Sequence, residues 1–352
     1  MDVLVVVDGG LVETLQASPL LRSLAAGVDG VRITLACPPV AAGMGPHLPG
    51  VVETLPLRAL SADPGGPGDV ARAALALRRR RFHAAAVCAT APLAALLVYF
   101  AGVPRRAGLA SGAARLLFTD PVEQRPLENR AAAWLRLGPA LGIPHQLHQG
   151  GFDPGGQARR VAEERLLGAG LDESRLLVAV APGIGYSDAV RAVPARALGW
   201  EPERYAHLCN QLTHRHGAAV VVLGTEEDRA VVDAMLLDVE SERLDLCGEL
   251  HRLEEVAAVL ERCDLLICGD SPLLHLAAAV GTPSVGLFGP TDGRVRAPYG
   301  PDHRVVQALP EQNGHVRGRG GRSRVAAPVS LRQIRVDDVL AGIESPPRSV
   351  PS

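Results

Sequence analysis

Short apolar runs bounded by Gly, Pro or Asp alternate with segments of helical period along the whole chain. Short apolar runs are typical of buried strands, whereas Ala/Leu/Arg segments with a period of about 3.6 are typical of helices that cover a sheet. We predict strands at residues 3–7, 31–36, 84–88, 176–181, 218–223 and 265–268. We predict helices at residues 19–26, 69–80, 127–141, 202–215, 227–237 and 253–262. The alternation predicts an α/β fold with parallel sheets.

This pattern occurs twice, on either side of a Gly/Pro-rich break at residues 150–156. Because 352 residues exceed what one core usually organises, we predict two Rossmann-like parallel-sheet domains, at 1–160 and 161–352. The second would open with a helix near 157–167, and its last helix is a candidate to pack back on the N-terminal domain. Residues 312–323 lack periodicity and predict a mobile loop. The two domains are expected to face a central cleft, where the carboxyl ends of parallel strands bind ligands.

Charge and composition bear on the partners and the cellular setting of the protein. The 36 basic and 38 acidic residues are mixed along the chain and give a formal net charge of -2, so we expect no nucleic-acid partner. The six cysteines are scattered and lie mostly in apolar runs, which favours free thiols and a cytoplasmic setting. The chain starts with a predicted core strand instead of a signal peptide, and no apolar stretch reaches transmembrane length. Peripheral contact with a membrane stays open.

The most informative stretch combines a buried strand with a capped helix. After the strand at 265–268, Ser271 suits an N-cap, Pro272 suits the first helical position, and Gly281 ends the helix. A helix start presents unpaired backbone N–H groups and the positive end of the macrodipole. It can therefore hold a diphosphate without a metal ion.

Two side chains flank this predicted helix start. Asp270, at the strand end, could accept a hydrogen bond from a sugar hydroxyl, and His275, one turn into the helix, could donate one to a phosphate oxygen. The alternative interpretation is that Asp270 only caps the helix while His275 packs against the sheet.

The same stretch contains a longer pattern, D-S-x-x-x-H-L-A-A-A-x-G-x-P, followed by a strand and F-G-P-T-D. This pattern resembles the motif of glycosyltransferase family 9, the ADP-heptose:lipopolysaccharide heptosyltransferases. The resemblance implies that Asp270, Ser271, His275 and the loop with Thr291 bind the donor diphosphate and its sugar. Pro272 stands where that family generally has Gly.

Weaker matches follow in the same order along the chain. Residues 178–183 resemble a family strand that ends in Pro-Gly, which implies that the backbone of Gly183 approaches the donor phosphates. Residues 220–229 are similar to a segment with an acidic residue near the nucleoside ribose, and Glu226 or Glu227 would take that role. The alternative is that both are solvated acids at a helix start.

The N-terminal half contains the candidate base and acceptor residues. Residues 8–19 are similar to the family loop S-S-L-G-D-x-x-x-x-x-P, whose Asp is the proposed general base. Glu13 occupies that position, and Asp8 is the rival carboxylate; otherwise Glu13 is a surface residue in the first turn of a helix. Arg105 and Arg106, in a segment similar to the family turn G-x-P-x-R-I-G, are candidates to face an anionic acceptor or simply form a solvated basic turn.

Three further positions depart from the family pattern. Val12 replaces the Gly before the base, Val7 replaces the usual Arg, and Leu198 stands where the family has a Lys that neutralises the leaving diphosphate. Arg191 and Arg196 lie in the long loop before that position, and either could form a bidentate phosphate clamp instead.

Taken with the residues, the resemblance implies a GT-B architecture and an inverting, metal-independent glycosyltransferase. It would move a heptose or similar sugar from an ADP-sugar donor to a hydroxyl of a lipopolysaccharide core, another glycan or glycolipid, or a small-molecule glycoside. We expect no cofactor and no metal, because the chain has no G-x-G-x-x-G before a helix and no H-E-x-x-H. The alternative hypothesis is a non-catalytic nucleotide-sugar binding protein of the same fold.

Overall fold

The structure, a computed structural model, describes residues 1–89, 91–110, 112–144, 149–172, 174–183, 199–309 and 329–344, together with the backbone of 315–316 and 325–326. The chain forms two compact units. The first unit is Met1–Gly155 with Ala278–Gly281 and Pro298–Gly300. The second unit is Gly156–Ala277 with Thr282–Ala297 and Pro301–Ser352.

A six-stranded sheet forms the centre of the first unit, and all its strand pairs are parallel. The strands are β1 Asp2–Val7, β2 Arg32–Cys37, β3 Val51–Pro56, β4 Ala84–Cys88, β5 Arg105–Ala110 and β6 Asp120–Glu123. Their order is β3-β2-β1-β4-β5-β6. The chain therefore leaves β1 toward one edge and returns at β4 to build the other, which creates a topological switch point between these two strands.

In the described part of the first unit, the α-helices beside this sheet are Leu11–Gln16, Ser18–Gly27, Pro67–Arg79, Pro92–Phe100, Arg130–Leu135 and Leu137–Ala140. The prediction of a single helix at 127–141 is wrong. Leu127 has a φ of 57°, and the side chain of Asn129 accepts from the amides of Ala131 and Ala132, so the helix starts only at Arg130. It then ends before Arg136, and a separate short helix follows.

The second unit repeats the same arrangement with a second six-stranded parallel sheet. Its strands are β7 Leu177–Ala181, β8 Ala219–Val222, β9 Arg243–Asp245, β10 Leu265–Gly269, β11 Ser284–Phe288 and β12 His303–Gln307. The order β12-β11-β10-β7-β8-β9 places a switch point between β7 and β10. The prediction of two Rossmann-like parallel-sheet domains is confirmed.

Helices of the second half are Gly155–Gly168, Pro202–His216, Arg229–Leu236, Leu253–Glu261, Pro272–Val280, Gly293–Arg296 and Val336–Glu344. Val339 and Leu340, in the last of these, are buried in the same hydrophobic cluster as Val220 and Leu287. That helix thus packs on the second sheet. Its packing on the N-terminal domain stays a prediction. Of the loop predicted at 312–323, only the backbone of His315–Val316 is described, and it pairs with Val325–Ala326.

The cysteines behave as small apolar residues. All six are free and buried. Burial raises the pKa of the Cys37 and Cys268 thiols to about 12, so both stay protonated at neutral pH. Among the described residues, no helix has the length and apolar character needed to cross a bilayer.

Candidate functional site

A pocket opens at the carboxyl edge of the second sheet, beside the switch point between β7 and β10. Its lining consists of Gly183, Gly269, Asp270, Ser271, Leu287, Gly289, Pro290, Thr291 and Leu331. We call it the strand-end pocket, because most of these residues follow directly on β7, β10 or β11. Four residues predicted from sequence to bind a donor meet here: Gly183, Asp270, Ser271 and Thr291.

The helix at this pocket, Pro272–Val280, forms as its sequence predicts. The carbonyl of Ser271 accepts from the amide of Leu274 at 3.2 Å, which is the bond expected of an N-terminal cap. At the other end, Gly281 has a φ of 92°, a conformation that favours glycine and ends the helix. We call Pro272–Val280 the pocket helix; its N-terminus adjoins the strand-end pocket through Ser271.

His275 lies one turn into the pocket helix and is only 3% exposed. It is not among the residues that line the strand-end pocket. Its burial agrees with the alternative in which the imidazole packs inside the domain. Donation from His275 to a donor phosphate stays a prediction.

Asp270 forms an ion pair that the sequence did not reveal. Its Oδ2 accepts from Nε of Arg296 at 2.7 Å, and its side chain is only 4% exposed. Arg296 ends the short helix Gly293–Arg296, which follows the G-P-T-D loop. Because β10 and β11 are neighbours, this helix returns beside the end of β10. A basic residue shortly after that loop was the available signal, and sequence reasoning missed it.

Thr291 contributes a buried hydroxyl to the same wall of the pocket. Its Oγ1 is buried and has no hydrogen-bond partner among the described residues. Next to it, the carboxylate of Asp292 accepts from the amide of Arg294 and caps the helix that carries Arg296. The guanidinium of Arg294 beside Asp292 holds the pKa of that carboxyl below its usual value.

The acidic residues predicted near the ribose lie in a short 3₁₀ helix, Glu226–Asp228. Glu226 and Glu227 are exposed, as the solvated alternative expects, and a ribose contact stays a prediction. Asp228, which sequence reasoning did not single out, is 5% exposed and accepts from the amide and hydroxyl of Thr225, both at 2.9 Å. A Cβ at Gly183 would overlap the Asp228 carboxyl group, so only glycine fits at this point of the pocket.

In the first unit, Glu13 and Asp8 lie near the switch point between β1 and β4. Glu13 sits in the first turn of helix Leu11–Gln16. Its Oε2 accepts from the amide of Gly10 and its Oε1 from Nη1 of Arg130, both at 3.0 Å. Asp8 follows β1 directly, and its Oδ2 accepts from the amide of Ala91 at 2.9 Å. Both carboxylates therefore hold local structure, and neither base assignment is tested.

Arg105 and Arg106 have a structural role that accounts for their side chains. The guanidinium of Arg105 donates to the carbonyls of Ala140 and Leu141 and to Asp120, while that of Arg106 donates to backbone carbonyls and lies over the Tyr99 ring. Both residues begin β5, so they lie at the amino edge of the sheet, opposite the edge that follows β1. These contacts support the structural alternative, and an acceptor contact stays a prediction.

Arg191 and Arg196 lie outside the described residues. Within the part of the chain that the structure describes, no group of three or more His, Cys, Asp or Glu side chains could hold a metal ion.

Comparison with known proteins places the chain among glycosyltransferases. Residues 190–324 match the model of glycosyltransferase family 9 (heptosyltransferase), a range that contains Asp270, Ser271, His275 and Thr291. Over 359 aligned residues, the chain is 25% identical to lipopolysaccharide heptosyltransferase 2 of Salmonella typhimurium, covering 98% of both proteins.

Two solved structures share the fold. The family 9 glycosyltransferase of Veillonella parvula has a TM-score of 0.76 and 18% identity, covering 97% of this chain and 96% of that one. The ADP-heptose lps heptosyltransferase II of E. coli has a TM-score of 0.70 and 22% identity, covering 97% of each chain. The predicted GT-B architecture is thereby confirmed, and the match of residues 190–324 to the family 9 model, together with the full-length relative, shows that this chain is a glycosyltransferase similar to that family.

Proposed function

We propose that this enzyme transfers a heptose from ADP-heptose to a hydroxyl group of a lipopolysaccharide core, with inversion at the anomeric carbon. The observation that carries the proposal is the strand-end pocket, where Gly183, Asp270, Ser271 and Thr291 converge at a helix start. The full-length relative is a lipopolysaccharide heptosyltransferase and the E. coli structure is that of an ADP-heptose enzyme, which supports the choice of sugar and acceptor.

The donor diphosphate would lie against the N-terminus of the pocket helix. Nine residues of aligned peptide dipoles end there, and the backbone N–H groups of the first turn suit an anion. The backbone at Gly183 can come close to the phosphates because no side chain stands in the way. This geometry would place positive potential beside the diphosphate, and we propose that the reaction needs no metal ion.

Asp270 would accept from a hydroxyl of the donor sugar. Its ion pair with Arg296 fixes the carboxylate at the strand end and leaves lone pairs that can accept further hydrogen bonds. A carboxylate held in this way orients the sugar ring and fixes the position of the anomeric carbon relative to the attacking hydroxyl.

For the base we propose Glu13, with Asp8 as the rival. The acceptor hydroxyl attacks the anomeric carbon, its proton passes to the carboxylate, and the bond from the anomeric carbon to the diphosphate oxygen breaks, releasing ADP. The bonds from Gly10 and Arg130 fix the Glu13 carboxylate but do not exhaust its acceptor sites. Negative charge that develops on ADP would be stabilised by the pocket helix and by Arg191 or Arg196.

We further propose a cytoplasmic setting with peripheral contact to the membrane that carries the glycolipid acceptor. Buried free thiols at all six cysteines support a reducing compartment. Other glycans and small-molecule glycosides remain acceptors to test.

The experiment mixes the purified enzyme with ADP-heptose and a panel of acceptors, and measures ADP release and the anomeric configuration of the product. We expect turnover on lipopolysaccharide-core acceptors with inversion, and loss of both donor binding and turnover in Asp270→Ala. Asp233→Asn, an exposed carboxylate of the same unit, serves as the control. Undiminished donor affinity in Asp270→Ala would remove the assignment. Tight donor binding with no turnover on any acceptor would favour a nucleotide-sugar binding protein.

A further inference from the structure

One amide side chain, that of Gln307, holds the whole loop that forms one wall of the strand-end pocket. Gln307 is the last residue of β12 and lies beside Phe288 in the register of β11 and β12. Its Nε2 lies 3.2 Å from the carbonyl oxygen of Phe288, 2.9 Å from that of Gly289 and 3.1 Å from that of Thr291. Its Oε1 accepts from the amide of Gly293 at 2.9 Å.

Only a primary amide satisfies this set of partners. Two hydrogens on Nε2 are shared among three carbonyl oxygens, while Oε1 accepts from an N–H group, so the partners themselves fix the orientation of the amide. A glutamate has the same shape but would turn an acceptor toward three other acceptors. An aliphatic residue would leave part-buried carbonyls unsatisfied, which is costly.

The loop held by Gln307 reaches the proposed donor site in two ways. Gly289, Pro290 and Thr291 line the strand-end pocket directly. Gly293 starts the short helix whose last residue, Arg296, pairs with Asp270. A Cβ at Gly293 would overlap Val305 of β12, so the loop packs tightly against the strand that carries Gln307.

We propose that Gln307 is a positioning residue for donor binding. It sets the pocket wall at 289–291 and, through the start of helix Gly293–Arg296, the position of the Arg296 guanidinium beside Asp270. This inference rests on the proposed function of the strand-end pocket. Gln307 itself does not line the pocket, so its effect on the donor passes through the loop.

The test compares three full-length variants. Gln307→Leu removes all the polar contacts of the side chain, whereas Gln307→Glu keeps its shape but replaces the donating Nε2 with an acceptor oxygen. The control is Gln211→Leu, because Gln211 lies on helix Pro202–His216 and accepts from Arg215. Calorimetry with ADP is expected to show a rise in Kd of about tenfold in both Gln307 variants, as the loss of one or two net hydrogen bonds predicts. The KM for the donor should rise by a similar factor, while the KM for the acceptor stays unchanged. The Gln211 variant should match the wild type.

Hydrogen exchange of the free protein provides the second measurement. Amides of residues 288–296 should exchange faster in both Gln307 variants, and those of the other sheet ends should not. Wild-type affinity and unchanged exchange in Gln307→Leu would overturn the inference. A Gln307→Glu variant that behaves as the wild type would also overturn it, because shape alone would then suffice. If the wild type binds no ADP, the proposed function fails, and the exchange result still decides whether Gln307 holds the loop.

Discussion

The two sheets have the same strand order and each has a switch point, yet the carboxyl edges at those points are built differently. At the second sheet, residues after β7, β10 and β11 enclose the strand-end pocket, and Asp270 is held by a side chain, Arg296. At the first sheet, Asp8 and Glu13 accept from the backbone amides of Ala91 and Gly10, and Glu13 also pairs with Arg130. One edge offers a formed pocket, whereas the other uses its carboxylates to cap helices.

This difference agrees with the proposed function, because the resemblance to family 9 is closest where backbone geometry would bind the donor. A capped helix start and a glycine under a buried carboxylate tolerate few substitutions. On the first sheet, Val7 and Val12 replace the family's Arg and Gly, and both are buried in the core.

The largest expected effect is a loss of kcat and concerns the carboxylates at the first sheet. Glu13→Gln keeps an acceptor for the Gly10 amide but cannot take a proton, so kcat should fall by about 10²- to 10⁴-fold with donor affinity unchanged. Asp8→Asn is the matched variant and should retain most activity. The opposite result, a large loss in Asp8→Asn and little in Glu13→Gln, would transfer the role of base to Asp8.

At the second sheet, Gly183→Ala should have the next largest effect, for a steric reason. The added methyl group would overlap the Asp228 carboxyl group and displace the backbone from the pocket. We expect ADP affinity to fall by at least about tenfold, which corresponds to about 1.4 kcal/mol. The control is Gly156→Ala, because nothing lies near a Cβ at that position. Gly170→Ala is unsuitable as a control, because Gly170 has a φ of 75°. Equal ADP affinity in Gly183→Ala and the wild type would contradict the proposed approach of the phosphates.

A smaller effect sharpens the role of the ion pair at Asp270. Arg296→Met should raise the KM for the donor by about tenfold, because a charge-assisted hydrogen bond that orients Asp270 is lost. Arg294→Met, on the same short helix, loses only an exposed pair with Asp292 and should have little effect. Indistinguishable donor KM values for the two variants would show that Arg296 has no part in donor binding.

The inner strands and the donor edge could be predicted from sequence, because both depend on local chemistry. The six predicted strands form within one residue of their expected ends. The four edge strands, β3, β6, β9 and β12, were not predicted; they are short or partly exposed and lack the apolar runs that mark burial. The segment with Arg105 and Arg106 was predicted as a turn, but it forms the start of β5.

Other parts of the site depend on contacts between distant positions, which local patterns do not encode. The Arg296–Asp270 pair joins residues 26 positions apart. Gln307, at the end of β12, contacts Thr291, which follows the neighbouring strand β11 and lies 16 positions earlier. Asp228 looked like one of three acids in a helix start, and only its burial beside Gly183 distinguishes it from Glu226 and Glu227.

The smallest expected effect concerns the opposite, amino edge of the second sheet. Burial lowers the pKa of His303 to about 4, and its Nδ1 lies 3.0 Å from the Ser284 hydroxyl. The folded state disfavours the charged imidazole. The contribution of His303 to the free energy of unfolding is therefore full above about pH 6.5 and is lost as the pH falls toward 4, by at most about 3 kcal/mol. Thermal melts between about pH 7 and pH 5 should therefore show a smaller decrease in Tm for His303→Asn than for the wild type.

The exposed His251 provides the control for that series, and His251→Asn should melt as the wild type does at each pH. An equal pH dependence in all three proteins would remove His303 as the source. ADP affinity near pH 7 should be the same in all three, because neither histidine lies at the strand-end pocket.

The central claim is that the strand-end pocket holds the donor diphosphate at the start of the pocket helix. A crystal structure of the protein with ADP tests it most directly. We predict phosphate oxygens within hydrogen-bond distance of the backbone amides at Ser271 and Leu273, with Gly183 in contact with the diphosphate. A diphosphate bound away from the start of Pro272–Val280 would contradict the account.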